Sequence, residues 1–252
     1  MSDWLGSIQV FQDCSQDYIP QLFQMIHRRK ILPELFWILF FFLVFVLYFY
    51  FYFNPFNLIL MLSNKLSNYQ IILASGSPRR QRFFKELDID FVIKVKSINE
   101  VYPSNLKKSE ITDYLSKLKA SAFKNISENE IVITSDTIVW FNGKAIEKPR
   151  NKKEAFKMIR SFSNGMHTVF TSVTFTGKNF QKTINDSTKV WFNKLTDEEI
   201  NYYIDTYQPF DKAGAYGIQE WLGYIGINKI EGSFFNVMGL PTHKVYQTLL
   251  TI

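Results

Sequence analysis

Hydrophobic positions fall into three regimes along the chain. Leu35 to Phe53 is an unbroken run of 19 Leu, Ile, Val, Phe, Trp and Tyr residues, long enough to cross a hydrocarbon core as a helix. From residue 70 onward, short apolar runs alternate with segments of helical spacing. Gln70 to Ala74 predicts a strand, Arg79 to Leu87 a helix entered through Pro78, Phe91 to Lys96 a second strand, and Ser109 to Asn125 a helix with Ile111, Leu115, Leu118 and Ala122 on one face. Ile131 to Val139 is β-branched and nearly all apolar, as a central strand is. Asn142-Gly143 predicts a hairpin between residues 138–141 and 144–146. A helix over Lys152 to Phe162, strands over His167 to Thr176 and Lys189 to Asn193, and helices from Thr196-Asp197-Glu198-Glu199 to about Thr206 and over Thr242 to Leu250 complete the pattern.

This alternation predicts an α/β fold: a mixed, parallel-rich central sheet flanked by helices, two lobes around a cleft, and an N-terminal hydrophobic helix outside the domain. Residues 1–62 read as an extension carrying the segment 35–53, and residues 63–252 as one body without internal repeats. The run starts too late and is too long for a cleaved signal peptide. It reads as a membrane anchor, as translated AT-rich sequence upstream of a true start at Met61, or as a buried helix. As an anchor it sits awkwardly. His27-Arg28-Arg29-Lys30 on its N-terminal side would put the C-terminal body outside the cytoplasm.

Composition narrows the function classes. With 46% hydrophobic and 21% charged residues the chain buries a core, and its single Cys14 excludes a disulfide scaffold and a cysteine metal site. A reducing, cytoplasmic compartment follows, with membrane anchoring through residues 35–53 as the alternative. Four acids against three bases in residues 1–60 leave 26 bases against 19 acids in the remainder, a net of +7. Such a surplus favours polyanionic ligands.

Four stretches carry candidate chemistry. Ser75-Gly76-Ser77-Pro78-Arg79-Arg80 joins a strand to a helix start, where loop amides, the helix dipole and two guanidiniums converge on phosphate or simply cap a helix. Ser135-Asp136-Thr137 puts a carboxylate in the most apolar strand, where desolvation demands that it be paired or used as a base, a Mg²⁺ ligand or a cap. Glu147-Lys148-Pro149-Arg150 offers a strand-end ammonium, or an ordinary surface turn. Lys119 is by spacing indistinguishable from a solvated helix lysine. Pro209 to Gln219 alternates small residues with Tyr216 and ends in an amide that can donate and accept in one plane, which suits the edge of a base. His27, His167 and His243 are scattered and form no zinc or triad pattern.

In order and spacing these stretches, together with Ser163-Asn164-Gly165-Met166-His167 and Asn236-Val237-Met238-Gly239-Leu240-Pro241, resemble the Maf family of nucleoside triphosphate pyrophosphatases from about residue 70 to the C-terminus. The resemblance implies hydrolysis of a nucleoside triphosphate to monophosphate and pyrophosphate with Mg²⁺ or Mn²⁺. By analogy Asp136 is the catalytic base, Ser75, Arg80, Lys119 and Lys148 hold phosphates, and Glu100 joins Asp136 as a metal ligand. Arg79, Thr137 and Gln219 resemble the branch acting on dTTP and UTP. Glu220-Trp221 after Gln219 departs from the family, which often carries Gly there. Expected partners are the nucleotide and, by resemblance only, a second copy of the chain, with no nucleic acid. The competing reading is a nucleotide- or nucleic-acid-binding regulator of cell division without turnover.

Overall fold

The computed structural model describes residues 41–44 and 62–252. The chain divides into two units, residues 1–58 and 59–252. Of the apolar segment 35–53 only residues 41–44, helical and exposed, are described, and the rest lies outside the described residues. Among the described residues no helix is long and apolar enough to cross a membrane.

The second unit runs β1 (Gln70–Leu73), α1 (Pro78–Glu86), β2 (Phe91–Ile93), α2 (Ser109–Ser121), β3 (Glu130–Phe141), β4 (Lys144–Ile146), α3 (Lys152–Phe162), β5 (Met166–Thr176), β6 (Gln181–Phe192), α4 (Asp197–Tyr207), α5 (Trp221–Gly226), β7 (Ile227–Glu231), α6 (Phe234–Val237) and α7 (Thr242–Thr251). The strands form a seven-stranded sheet of order β2-β1-β3-β5-β6-β7, with β4 also on β3. The mixed α/β sheet flanked by helices is as expected. Its parallel pairings are β1 with β2 and β1 with β3, whereas β3–β4, β3–β5, β5–β6 and β6–β7 are antiparallel. The antiparallel share is larger than the alternation of strands and helices suggests, because β5 and β6 are joined by a tight turn and pair from Met166↔Trp191 to Thr176↔Gln181.

Local chemistry explains the best-defined ends. Asn142 (φ 48°) and Gly143 (φ 78°) are both left-handed, as a two-residue hairpin turn requires, and set Val139 opposite Ile146. Thr196 accepts from the Glu199 backbone while the Glu199 carboxylate accepts from the Thr196 N–H, a reciprocal cap contributing about 1 kcal/mol.

Side chains alternate across β3. Ile131 and Ile133 face a core with Ile71, Leu73, Phe84, Val173, Phe175, Leu240, Val245 and Leu249, closed at its edge by Leu62 and Leu66 from the helical residues 62–66. Val139, on the same face, belongs to a second core with Ile159, Phe162, Val169, Val190, Ile200, Tyr203 and Ile204. Each large side chain so buried stabilises by about 1.5–3 kcal/mol. Opposite, α2 covers Ile138 with Ile111 and Leu115. That helix also docks through hydroxyls: Thr112 Oγ1 lies 2.6 Å from Ser172 Oγ, Ser116 Oγ 2.9 Å from Thr174 Oγ1, and Thr134 donates to the Ser116 carbonyl at 2.7 Å.

One detail of the pairing prepares the site. One edge of β3 is paired with β5 over Val132 to Trp140. The other edge carries β1 at Glu130 to Ile133 and β4 at Val139 to Phe141. Between them the sheet splits, and among the described residues Thr134 to Ile138 has no strand on that side. A cleft opens where the two cores part, as ligand sites of α/β sheets do at points where neighbouring connections diverge.

Candidate active site

The split leaves a cleft of about 520 Å³. Arg79, Arg80, Glu100, Lys119, Asp136, Thr137, Lys148 and Gln219 all line it. Eight of the nine residues singled out from sequence are thus brought to one wall or another of one cavity. Ser75 is not on the lining. It is buried, and its hydroxyl accepts from the Ser77 N–H at 3.3 Å and from Arg80 Nη1 at 3.4 Å, so it shapes the loop instead.

Asp136 is 6% exposed and points to the α2 side of β3. Its Oδ1 receives Lys119 Nζ at 2.6 Å, and the same ammonium meets Glu100 at 3.0 Å. Helix α2 delivers Lys119 because Ile111, Leu115 and Ala120 face inward and set its last turn over the strand. Asp136 Oδ2 is buried without a partner among the described residues. A buried carboxylate oxygen left unsatisfied costs several kcal/mol and marks a place for a ligand or a proton.

Arg80 works from the other face. Its Nε donates to the Gly239 carbonyl at 2.9 Å, Nη1 to the Ser135 carbonyl at 3.1 Å as well as to Ser75, and Nη2 to Thr137 Oγ1 at 3.0 Å. The guanidinium thus occupies the missing strand's place beside Ser135 and ties together the β1–α1 loop, β3 and the turn before α7. Burial lowers its pKa to about 10, with Asp136 opposing the shift. Four donated bonds commit most of its five N–H groups to the protein.

The remaining cations are placed at the mouth. Arg79, in the first turn of α1, pairs with Asp211 at 3.0 Å. Burial raises the Asp211 pKa less than the Lys212 and Arg79 contacts lower it, so it titrates below the usual carboxylate range. Lys148 and Arg150 are exposed at the end of β4. The lining counts six cations (Arg79, Arg80, Lys119, Lys148, Arg150, Lys212) against four carboxylates (Glu100, Asp136, Glu147, Asp211), a surplus matched to a polyphosphate.

Residues beyond those nine also line the cleft. Ser77 stands at the N-cap of α1, and Tyr102 projects from the loop between β2 and α2. Burial, with Glu147 and Asp136 nearby, raises the Tyr102 pKa, so its hydroxyl stays a donor. Nothing in that aperiodic loop signals it. Tyr216 and Lys212 fall within the Pro209 to Gln219 stretch, whose small residues were the visible cue. Gly214 there is left-handed (φ 73°), and a Cβ on it would meet Val139 Cγ2 at 3.0 Å and Phe162 Cε2 at 3.2 Å.

Among the described residues no three His, Cys, Asp or Glu side chains gather as a protein-only metal cage would. Glu100 and Asp136 converge on the cleft through Lys119. Two carboxylates plus substrate phosphates are the usual donor set of Mg²⁺ or Mn²⁺, and the partnerless Asp136 Oδ2 is a hard oxygen donor of that type.

Comparison with known proteins gives matches over the same span. The family described as Maf-like protein matches residues 70–252. A dTTP/UTP pyrophosphatase of Flavobacterium johnsoniae is 57% identical over 193 residues, covering 76% of this chain and 100% of that protein. One from Christiangramia forsetii is 58% identical over 190 residues, covering 75% and 97%, and one from Bacteroides thetaiotaomicron 49% over 191 residues, covering 75% and 98%. Among solved structures, a HAM1 protein from Coxiella burnetii matches at 12% identity and a TM-score of 0.39, covering 73% of this chain and 100% of that one.

Proposed function

The chain belongs to the Maf family, and from that premise we propose that it hydrolyses dTTP and UTP between the α and β phosphates, releasing the nucleoside monophosphate and pyrophosphate. One observation carries the reading. Asp136, buried in the split of the sheet, has one oxygen anchored on Lys119 and the other free, inside a cleft with a surplus of cations.

In this reading Lys119 compensates the charge of Glu100 and Asp136 and holds Asp136 in one rotamer. Asp136 Oδ2 then accepts the proton of a water that attacks the α-phosphorus in line. Arg79, Lys148 and Arg150 receive the β and γ phosphates, whose charge grows as pyrophosphate departs. Arg80 orients Thr137 and Ser135 and keeps the loop amides before α1 aimed into the cleft. Glu100 and Asp136 would hold a divalent cation, which when bound supplies charge neutralisation on the phosphate chain. Gln219 reads the edge of the base. The catalytic body in this reading is residues 63–252.

The test is pyrophosphate release by the full chain with Mg²⁺ or Mn²⁺ against dTTP, UTP, CTP, ATP, GTP and 7-methyl-GTP. Selective turnover of dTTP and UTP is expected. Folded protein silent on all six, or active on 7-methyl-GTP alone, overturns the reading.

A further inference from the structure

Glu220 lies directly behind the cleft wall formed by Gln219, and its carboxylate is fixed from several sides. Oε1 receives Lys212 Nζ at 3.1 Å, with the two side chains 10% and 19% exposed. Oε2 receives the Tyr203 hydroxyl, which in turn accepts the Gly217 N–H at 2.9 Å. Burial and the bond to Glu220 push the Tyr203 pKa up, so that hydroxyl remains a donor. Gln219 Nε2 donates to Glu220 Oε1 at 3.4 Å. Gly217 makes the contact tight, since a Cβ there would lie 2.7 Å from Glu220 Cδ and 2.9 Å from Gln219 Nε2.

A carboxylate accepts hydrogen bonds and gives none, so it attracts the nitrogen end of a neighbouring amide and repels the oxygen end. We propose that Glu220 is a positioning residue that fixes which way round the Gln219 amide faces the cleft, and thereby makes the site select uracil and thymine over cytosine. This inference rests on the reading of the cleft as a pyrimidine nucleotide site.

With one Gln219 N–H turned to Glu220, the amide presents its carbonyl and its second N–H to the base. Uracil and thymine answer with the N3–H donor flanked by a carbonyl acceptor. Cytosine seated in the same place offers the reverse order, an N3 acceptor beside an amino donor. Reading it would need the amide turned over, which would set the Gln219 oxygen against the carboxylate. Leaving two acceptors face to face in a partly buried site discriminates by about ten- to a hundred-fold.

The experiment compares the full chain with its Glu220→Gln variant, with kcat/KM measured for UTP and CTP in Mg²⁺. The new amide can face Gln219 with either end, so the UTP/CTP ratio is expected to fall about tenfold or more, through better use of CTP as well as weaker use of UTP. An unchanged ratio overturns the proposal, and so does an equal loss on both substrates, which is what mere loosening of the loop would give. If Glu220→Gln does not fold, Glu220→Ala is read the same way. If the full chain turns over neither nucleotide, the pyrophosphatase reading fails. The present one is then decided by titration calorimetry with the α,β-methylene analogues of UTP and CTP. A uracil preference that the variant loses supports it, and a wild-type chain without preference overturns it.

Discussion

Lys119 and Asp136 meet at 2.6 Å from different layers of the fold, one at the last turn of α2 and the other inside β3. A third group, Glu100, reaches the same ammonium from a loop. The contact therefore converts helix docking into placement of a carboxylate at the point where the sheet parts.

Replacing that carboxylate isolates its chemistry. Asp136→Asn keeps the shape and can still take a hydrogen bond from Lys119, but it offers no basic oxygen where Oδ2 now stands. Pyrophosphate release from dTTP is expected to drop by about 10²–10⁴-fold with an unchanged circular-dichroism spectrum, the range lost with a general base. Near wild-type turnover at saturating metal would remove Asp136 from the mechanism.

Arg80→Lys tests the guanidinium as a structural fork. Lysine keeps the charge but cannot span Gly239, Ser75, Ser135 and Thr137 from one nitrogen. Loss of about 2–4 kcal/mol in urea unfolding is expected, together with loss of turnover. Stability equal to wild type would show that the four bonds contribute little.

Acid sensitivity has an identifiable source in His167. Burial lowers its pKa to about 3, its Nε2 lies 2.7 Å from the Tyr216 hydroxyl, and Nδ1 has no partner among the described residues. Unfolded, the same imidazole titrates near 6.5. Between about pH 6.5 and 3 the unfolded chain therefore binds a proton that the native chain refuses. Native stability should fall by about 1.4 kcal/mol per pH unit as the pH drops through that window. In His167→Phe this contribution is absent, and urea midpoints measured from pH 7 to 4.5 should show a shallower decline than in wild type.

Gly214→Ala probes the turn beneath Tyr216. The positive φ strains any side chain there, and a methyl group would press on Val139 and Phe162. A cost of about 1–3 kcal/mol is expected, read as a lower Tm, with KM for nucleotide raised more than kcat is lowered because the turn lines the cleft. An unshifted Tm would show that the turn relaxes freely.

Local rules suffice for part of the fold. The Asn142-Gly143 turn, the Thr196–Glu199 cap and helix α3 are legible in the sequence, since a left-handed pair, a reciprocal cap and a 3.6-residue period need no tertiary partner. Strand β6 shows where such rules stop. The sequence suggests only Lys189 to Asn193, yet the strand begins at Gln181, because residues 181–188, polar except for Ile184, are held mainly by pairing with β5. The site divides in the same way. Asp136 stands out because a carboxylate in an apolar strand conflicts with its surroundings. Lys119 does not, because a half-buried lysine and a solvated one share the same helical spacing. Glu100 and Tyr102 sit in a loop whose course is set by what it packs against, so their arrival at the cleft is tertiary information.

The hydroxyl bonds under α2 carry a consequence for how finely the site is set. An oily helix face tolerates sliding, because the dispersion attraction given up on one side is regained on the other. Bonds from Thr112, Ser116 and Thr134 to fixed oxygens do not, since a shift by one residue, about 1.5 Å along the axis, breaks them together. The helix thus has one admissible seating on the sheet, like a key whose notches match at a single depth, and the ammonium at its end inherits that tolerance.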